Sequence, residues 1–206
     1  STEVDHSYRY NIEKLYEEKY EFIRANSSKV LDIGKSSREH YDKFLNSSWK
    51  GEIMTSDVNQ FDGYPDIIDD ICDTKLEKDY YDAVICNSVL EHVYDPKKAV
   101  ENIYQIIKKD GHFIGQAPFL YWYHAPKDLK FQDYFRFSRD GLIYLFRDFS
   151  EVKLYAIRGR VSTPLSLFGF WKFKVEKYLG SVPSKILDKV SNSDTQVSGY
   201  VIWAKK

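Results

Sequence analysis

The sequence has few of the features that mark secreted, membrane-spanning or disulfide-bonded proteins. Only two of its 206 residues are cysteines, Cys72 and Cys86, and each lies in or beside an apolar run. We therefore expect two buried, reduced thiols, which fits a cytoplasmic protein. No apolar run approaches the roughly 18 residues that a membrane span requires, and the first residues lack the pattern of a signal peptide.

A strong excess of charge is also missing. The formal net charge is −1, so bulk electrostatics gives no reason to expect a nucleic-acid partner. The histidines show no spacing typical of a metal site, so no bound metal is expected. They are scattered at His6, His40, His92, His112 and His124. Aromatic residues, in contrast, make up 17% of the chain, which suits a pocket that is both apolar and hydrogen-bonding.

Short apolar strands alternate with helical segments along the chain. Strands are predicted at Lys29–Ile33, Glu52–Ser56, Asp66–Ile71, Tyr81–Asn87, His112–Ala117, Val152–Arg158 and Gln196–Ala204. Helices are predicted over 11–25, about 37–45, 96 to about 109, and 139–146. This alternation predicts one α/β domain over 1–206, with a doubly wound, Rossmann-like sheet of seven strands. The sheet is expected to be mostly parallel, with an antiparallel last strand.

Local signals mark where two of the helices begin and where one of them ends. Asp95 followed by Pro96 is typical of a helix start, and Ser138 is expected to cap the helix that follows it. The pair Asp110–Gly111 is expected to end the helix that starts at Pro96.

The last two predicted strands enclose an aromatic-rich insert at about 161–195. Its most apolar part, 164–174, is too short to span a bilayer. Four roles are open for this insert: a small core packed on the sheet, a cap over a binding site, the face of a homodimer, or a peripheral membrane contact through 164–174.

A glycine turn follows the first predicted strand. At Gly34 the backbone can approach a ligand closely, and the next helix would direct its first N–H groups to the same place. In an open α/β sheet, a nucleotide-like cofactor binds at this turn. The usual second and third glycines are missing, because Lys35, Ser36 and Ser37 follow Gly34.

Acidic residues follow the next two predicted strands. Asp57 lies at the distance from Gly34 that is expected for a carboxylate binding the two hydroxyls of a ribose. Ile71, with Asp70 or Asp73, could supply the apolar and polar contacts of an adenine. The alternatives are a solvated loop acid at Asp57 and an acidic surface cluster at the second position.

The fourth predicted strand leads into Tyr81–Val93, which ends in Leu-Glu-His-Val. Together with Val-Leu-Asp-Ile-Gly and the acids after the second and third strands, this segment resembles the class I S-adenosylmethionine-dependent methyltransferases over approximately 29–117. The Leu-Glu-His-Val motif is typical of the large subgroup that methylates small molecules. It does not specify a substrate.

The resemblance implies S-adenosylmethionine as the cofactor and assigns residues to it. Its contacts would come from Asp32, Gly34, Asp57, Val58, Asp70, Ile71 and Asn87. Ser36, which takes the position of the second glycine, would contact the cofactor carboxylate, and Lys35 or Arg38 would pair with it. The alternative is that cofactor affinity is reduced, or lost in a degenerate member. His92 would lie at the edge of the same cleft, in a catalytic or a structural role.

The loop after the fifth predicted strand resembles the His-x-x-Pro…Asp-Tyr-x-Arg signature of bacterial methyltransferases found with saccharide-modification enzymes. It suggests His124 as a general base for a hydroxyl acceptor, with a structural loop histidine as the alternative. Arg136 is expected either to bind an anionic group of the acceptor or to pair with Asp133. Tyr123 and Tyr134 are the other candidate acceptor contacts.

The function expected from these motifs is methyl transfer to a hydroxyl or amine of a small polar metabolite. A sugar or nucleotide-sugar in bacterial saccharide biosynthesis fits the loop signature best. Two alternatives are a lipid or quinone-type precursor as acceptor, and a non-catalytic binding domain with the same fold. A nicotinamide-dependent oxidoreductase is disfavoured, because the Gly-x-Gly-x-x-Gly pattern is missing.

Overall fold

The computed structural model describes residues 4–34, 50–61, 63–125, 132–167, 186–189, 193 and 195–206. The strands are β1 (Val4–Asp5), β2 (Lys29–Ile33), β3 (Glu52–Asp57), β4 (Ile67–Ile68), β5 (Tyr81–Asn87), β6 (Ile107–Pro118), β7 (Glu151–Ile157) and β8 (Gly199–Lys205). The helices are α1 (Ile12–Asn26), α2 (Pro96–Ile106), α3 (Arg139–Leu145) and α4 (Ser162–Leu167).

These strands form one sheet in the order β1-β7-β8-β6-β5-β2-β3-β4. β8 runs antiparallel to both of its neighbours, and the other pairs are parallel. The predicted Rossmann-like α/β fold is confirmed, but the sheet has eight strands where seven were predicted. The additional strand is β1, whose two residues pair with Leu154 and Tyr155. Two residues are too few to show a period-two pattern in the sequence.

Helices cover both faces of the sheet, so its central strands are buried on both sides. Along β2, Val30 packs in the cluster that includes α1, whereas Leu31 packs in the cluster that includes α2. Ile85 and Val84 on β5 alternate between the same two clusters. This double burial explains why the parallel strands are continuous apolar runs.

The predicted helix starts are confirmed, but one predicted helix end is wrong. Asp95 caps α2 by accepting the Lys98 N–H at 2.9 Å, and Ser138 caps α3. α2 ends at Ile106, and β6 begins at the next residue. Asp110 and Gly111 lie within β6, where the register against β5 shifts, and Asp110 has a positive φ of 63°. The turn signal of this pair therefore marks an irregularity in a strand.

The third predicted strand is shorter than expected. Of Asp66–Ile71, only Ile67–Ile68 pair with β3, and Ile71–Asp73 form a 3₁₀ turn. The Asp70 carboxylate accepts the Cys72 N–H at 2.9 Å. This side chain thus caps the turn, which ends the extended conformation.

Several other predictions concern the two cysteines and the insert. Cys72 and Cys86 are buried and free, as predicted. Within the described part of the chain, no helix is long and apolar enough to cross a membrane. Asp188, near the end of the insert, is buried and accepts hydrogen bonds from Tyr10 and Val161. The predicted helix at 37–45, with Lys35 and Ser36 before it, lies outside the described residues, as does most of 164–174.

Candidate functional site

A cleft of about 550 Å³ opens at the carboxyl ends of β2, β3 and β5. These are the strand ends at which ligands bind in open α/β sheets. Eight of the residues predicted to form the site lie along it: Gly34, Asp57, Val58, Asp70, Ile71, Asn87, His92 and Tyr134. These residues are spread along the sequence, but in the folded chain they line the same cleft.

Gly34 holds the turn after β2 in a conformation that favours glycine. Its φ is +79°, and its N–H donates to the Ser56 carbonyl at 2.8 Å, which ties the ends of β2 and β3 together. A Cβ at this position would lie 2.4 Å from Cγ2 of Val89. Glycine is therefore required here by backbone geometry and by Val89, in addition to its place on the cleft wall.

Asp57 ends β3 and Asp32 lies within β2, but they differ in access to the cleft. Asp57 is partly exposed on the cleft wall, and its Oδ1 accepts the Asn59 N–H at 2.8 Å. Asp32 is fully buried and is not among the cleft-lining residues. A ligand in the cleft can thus contact the Asp57 side chain, whereas the predicted site residue Asp32 lies beneath the cleft surface.

The acidic cluster after β4 divides into residues that line the cleft and one that does not. Asp70 lines it beside Ile71, and its Oδ2 accepts a hydrogen bond from Tyr94 at 3.2 Å. Asp69 also lines it, but its carboxylate binds Thr74 and the Lys75 N–H. Asp73 is exposed, pairs with Lys75 and does not line the cleft. Of the two acids named in the sequence prediction, Asp70 lines the cleft and Asp73 does not.

Two tyrosines of α1 contact the polar end of β5. The Tyr16 hydroxyl lies 3.0 Å from Oδ1 of Asn87, and Nδ2 of Asn87 lies 3.3 Å from the Tyr20 hydroxyl. The two rings stack at 5.8 Å, and Tyr16 also reaches Gln116 at 3.2 Å. The sequence indicated only an amphipathic helix here. The signal that could have found this contact is the pair of tyrosines four residues apart on its apolar face.

The loop from β6 to α3 is held in shape by Arg136. Its guanidinium binds both carboxylate oxygens of Asp133, and it donates to the Trp122 carbonyl at 2.5 Å and to the Tyr121 carbonyl at 3.3 Å. The hydrogen bonds from Arg136 hold the pKa of Asp133 at about 2. Of the two interpretations of Arg136, the structure shows the pairing with Asp133.

Asp133 also orients His124. Its Oδ2 accepts the His124 backbone N–H at 2.9 Å and lies 3.2 Å from Nδ1 of the ring. The ring packs against His92 with centroids 4.9 Å apart. His92 lines the cleft, and its Nδ1 lies 2.6 Å from the Gln132 carbonyl. Tyr123 is 68% exposed and is not among the cleft-lining residues.

Glu91 lies between the two histidines and was missed as a site residue. Its side chain is 1% exposed, and Oε1 lies 3.5 Å from Nε2 of His124 and 3.9 Å from Nε2 of His92. Among the described residues, neither carboxylate oxygen has a hydrogen-bond partner. Burial, together with the charge of Asp133, raises the pKa of Glu91 to about 7. We refer to Glu91, His92 and His124 as the Glu–His–His cluster.

This cluster corrects the prediction that the histidines are scattered. His92 and His124 are distant in sequence, yet they and Glu91 each place one potential ligand atom within 4.8 Å of the others. The sequence contained the Glu-His pair of the Leu-Glu-His-Val motif. It gave no signal that the loop after β6 would return His124 to that pair.

The position of the cleft and the sequence pattern of the chain are both typical of a known family. Residues 6–151 match the model of the methyltransferase domain family. No curated protein sequence matches the chain.

Solved structures share the fold at low sequence identity. A SAM-dependent methyltransferase from Archaeoglobus fulgidus is 17% identical, with a TM-score of 0.55 over 95% of this chain and 100% of that one. The N-methyltransferase NodS from Bradyrhizobium japonicum, solved with S-adenosylhomocysteine, is 11% identical, with a TM-score of 0.53 over 95% and 88% of the chains. The [4+2]-cyclase SpnF is 11% identical, with a TM-score of 0.57 over 100% and 87%.

Proposed function

Because this chain belongs to the methyltransferase domain family, we propose that it transfers a methyl group from S-adenosylmethionine to a hydroxyl of a small polar acceptor. The observation that carries this proposal is the common cleft wall of Gly34, Asp57, Asp70 and Asn87. Each follows a strand or turn of the sheet in the order that the motifs require. NodS, with the same fold, was solved with the demethylated cofactor.

The cofactor contacts follow from the chemistry of these side chains. The Asp57 carboxylate accepts hydrogen bonds from both ribose hydroxyls, and Val58 beside it contacts the base. Ile71 and Asp70 give the adenine an apolar and a polar contact. Asn87, held by Tyr16 and Tyr20, lies toward the amino-acid part of the cofactor. Lys35 and Ser36 are proposed to contact its carboxylate.

The reaction needs alignment and the removal of one proton. The acceptor oxygen forms a bond to the methyl carbon while the bond from that carbon to the sulfonium sulfur breaks, and its electron pair leaves a neutral thioether. We assign the acceptor's hydroxyl proton to Nε2 of His124. Nδ1 of the same ring lies 3.1 Å from the Trp122 carbonyl and 3.2 Å from Asp133, so Nε2 points away from both. His124 itself does not line the cleft; it packs against His92, which does, so the acceptor hydroxyl would have to reach Nε2 of His124 from the His92 side.

The acceptor class is proposed from the aromatic side chains around the mouth. Tyr94 and Tyr134 line the cleft and are 61% and 53% exposed. Exposed aromatic rings offer flat apolar faces, and their hydroxyls bind polar groups, which suits a sugar or nucleotide-sugar. Tyr123, which is exposed but does not line the cleft, is a further candidate contact for the acceptor. The buried, free thiols support a reducing, cytoplasmic setting.

The experiment that tests this function measures S-adenosylhomocysteine released by the full chain with S-adenosylmethionine and a panel of acceptors. The panel contains nucleotide-sugars, free sugars, and lipid or quinone precursors. Turnover with a sugar-containing acceptor alone would support the proposal. Turnover with the lipid or quinone precursors alone would overturn the acceptor class. Cofactor binding without turnover on any acceptor would favour a non-catalytic domain.

A further inference from the structure

The Glu–His–His cluster presents three electron-pair donors to one point. Nδ1 of His92 lies 2.6 Å from a carbonyl oxygen, that of Gln132, which can only accept a hydrogen bond. Nδ1 of His124 lies 3.2 Å from the Asp133 carboxylate and 3.1 Å from the Trp122 carbonyl. Each Nδ1 can therefore donate a proton to the oxygen beside it. Nε2 of each ring lies within 4 Å of Oε1 of Glu91.

A carboxylate buried in this position needs a positive charge or a proton beside it. The Glu91 carboxylate is 1% exposed and, among the described residues, accepts no hydrogen bond from another residue. An uncompensated buried carboxylate costs several kcal/mol. The imidazole atoms nearest to it are Nε2 of His124 and Nε2 of His92. A cation bound by all three groups would satisfy them together.

The distances suit a tetrahedral metal site. With metal–ligand bonds of about 2.0–2.1 Å, tetrahedral ligands lie about 3.3 Å from one another. The Glu91 oxygen is 3.5 Å from one imidazole nitrogen and 3.9 Å from the other. All three ligand atoms lie within 4.8 Å of one another, so binding would draw them closer together.

The atoms around the cluster resemble the support that metal-binding histidines need. Metal-ligating histidines donate their other N–H to a carboxylate or a backbone carbonyl, which fixes the ring. The Trp122 carbonyl accepts from Nδ1 of His124, with Asp133 3.2 Å from the same atom, and the Gln132 carbonyl accepts from Nδ1 of His92. Arg136 in turn fixes Asp133 through both carboxylate oxygens.

We propose that Glu91, His92 and His124 form a binding site for a divalent transition-metal ion of the Zn²⁺ type. Two imidazole nitrogens and one carboxylate oxygen favour Zn²⁺ or Co²⁺ over Mg²⁺ and Ca²⁺, which prefer oxygen ligands alone. The fourth coordination position lies on the side of His92 that lines the cleft. The ion binds Nε2 of His124, the atom that accepts the acceptor's proton in the proposed function. Bound Zn²⁺ therefore competes with that proton and lowers the rate of methyl transfer.

Metal binding can be measured without cofactor or acceptor. The full chain, purified without a polyhistidine tag and treated with a chelator, is titrated with Co²⁺ in the visible range and with Zn²⁺ by calorimetry. We expect one ion per chain, with the intense visible bands of four-coordinate Co²⁺. His124→Gln, His92→Gln and Glu91→Gln should each weaken binding by about 100-fold, and Asp133→Asn by about 10-fold.

The matched control is His112→Gln. His112 is a half-buried ring stacked on Trp203 and lies outside the cluster, so its loss should leave the Co²⁺ titration unchanged. Circular dichroism of each variant shows whether it folds. If Glu91→Gln does not fold, the partly exposed His124 and His92 provide the test. Absence of tetrahedral Co²⁺ bands, or equal binding by the two histidine variants and the control, would overturn the site.

A second readout separates this inference from the proposed function. Zn²⁺ should slow release of S-adenosylhomocysteine, and a chelator should restore it. Methyl transfer in a chain that binds no Zn²⁺ would refute the metal site and leave the function intact. Zn²⁺ binding in a chain with no methyl transfer would support the metal site and refute the proposed function. Stimulation by Zn²⁺ would overturn the competition for Nε2 of His124.

Discussion

The two ends of the cleft are built in different ways. At the end proposed for the cofactor, Gly34, Asp57 and Asn87 stand where strands β2, β3 and β5 stop, so the sheet itself sets their positions. At the other end, His92 lines the cleft and packs against His124, whose backbone N–H and ring contact Asp133. The proposed cofactor contacts therefore depend on the backbone of the sheet, whereas the proposed acceptor contacts depend on a side-chain network. Substitutions at the two ends should therefore affect different measured quantities.

The largest effect is expected at the acceptor end. His124→Gln removes the proposed proton acceptor, and loss of a general base lowers kcat by about 100-fold or more. The dissociation constant for S-adenosylmethionine should stay within about twofold of its normal value. Single-turnover kinetics and calorimetry measure the two quantities, and His112→Gln is the matched control. An unchanged kcat would reject His124 as the base.

The opposite pattern is expected at the cofactor end. Asp57→Ala removes two charge-assisted hydrogen bonds to the ribose, so the dissociation constant for S-adenosylmethionine should rise about 100-fold. At saturating cofactor, kcat should change little. Asp73→Asn, an exposed acid of the same region that does not line the cleft, is the control. Equal affinities in the two variants would contradict the role of Asp57.

The buried carboxylate between the histidines should affect stability as well as chemistry. The pKa of Glu91 in the folded chain is about 7, above its ordinary value of 4.5. The folded state therefore binds this proton more tightly than the unfolded state, and its stabilising contribution is lost as pH rises through 7. With a chelator present, the free energy of unfolding should fall by about 2 kcal/mol more between pH 5 and 8 in the wild type than in Glu91→Gln. The ionisable groups that face Glu91 are His92, His124, Asp133 and Arg136. Parallel pH profiles in denaturant titrations would refute the raised pKa.

The smallest effect should come from the α1 contact with the cofactor end. Tyr16→Phe removes the hydroxyl that lies beside Asn87 and Gln116, which should cost about 1 kcal/mol of stability and weaken cofactor binding a few-fold. Tyr144→Phe, on an exposed ring, should change neither quantity. If both variants show the same stability and affinity, the contact from α1 contributes nothing to the site.

The same contrast explains how much could be predicted from the sequence. Apolar periodicity predicts the strands, and capping residues predict the starts of α2 and α3. Strand-end spacing predicts that Gly34, Asp57, Asp70 and Asn87 lie along one cleft. These signals are local, and parallel strands bring their ends together. The strand β1 was not predicted, because two residues are too few to show a pattern. The end of α2 was predicted wrongly, because the Asp110–Gly111 pair marks an irregularity within β6 and not a helix end.

The contacts at the acceptor end could not be predicted because they join residues that are far apart in sequence. Arg136 had two interpretations until the loop geometry placed both Asp133 oxygens on its guanidinium. In the sequence, Glu91 was only part of the Leu-Glu-His-Val motif, and nothing indicated that it would be buried close to two imidazole rings. Such a network depends on side-chain positions that no single-sequence periodicity encodes.

The most direct test of the account is calorimetric titration of the full chain with S-adenosylmethionine, S-adenosylhomocysteine and NAD. The account predicts that both adenosyl compounds bind with one site per chain, that Asp57→Ala weakens them about 100-fold, and that NAD does not bind. The missing second and third glycines after Gly34 make this measurement decisive. Failure of both adenosyl compounds to bind, or tight binding of NAD, would contradict the central claim.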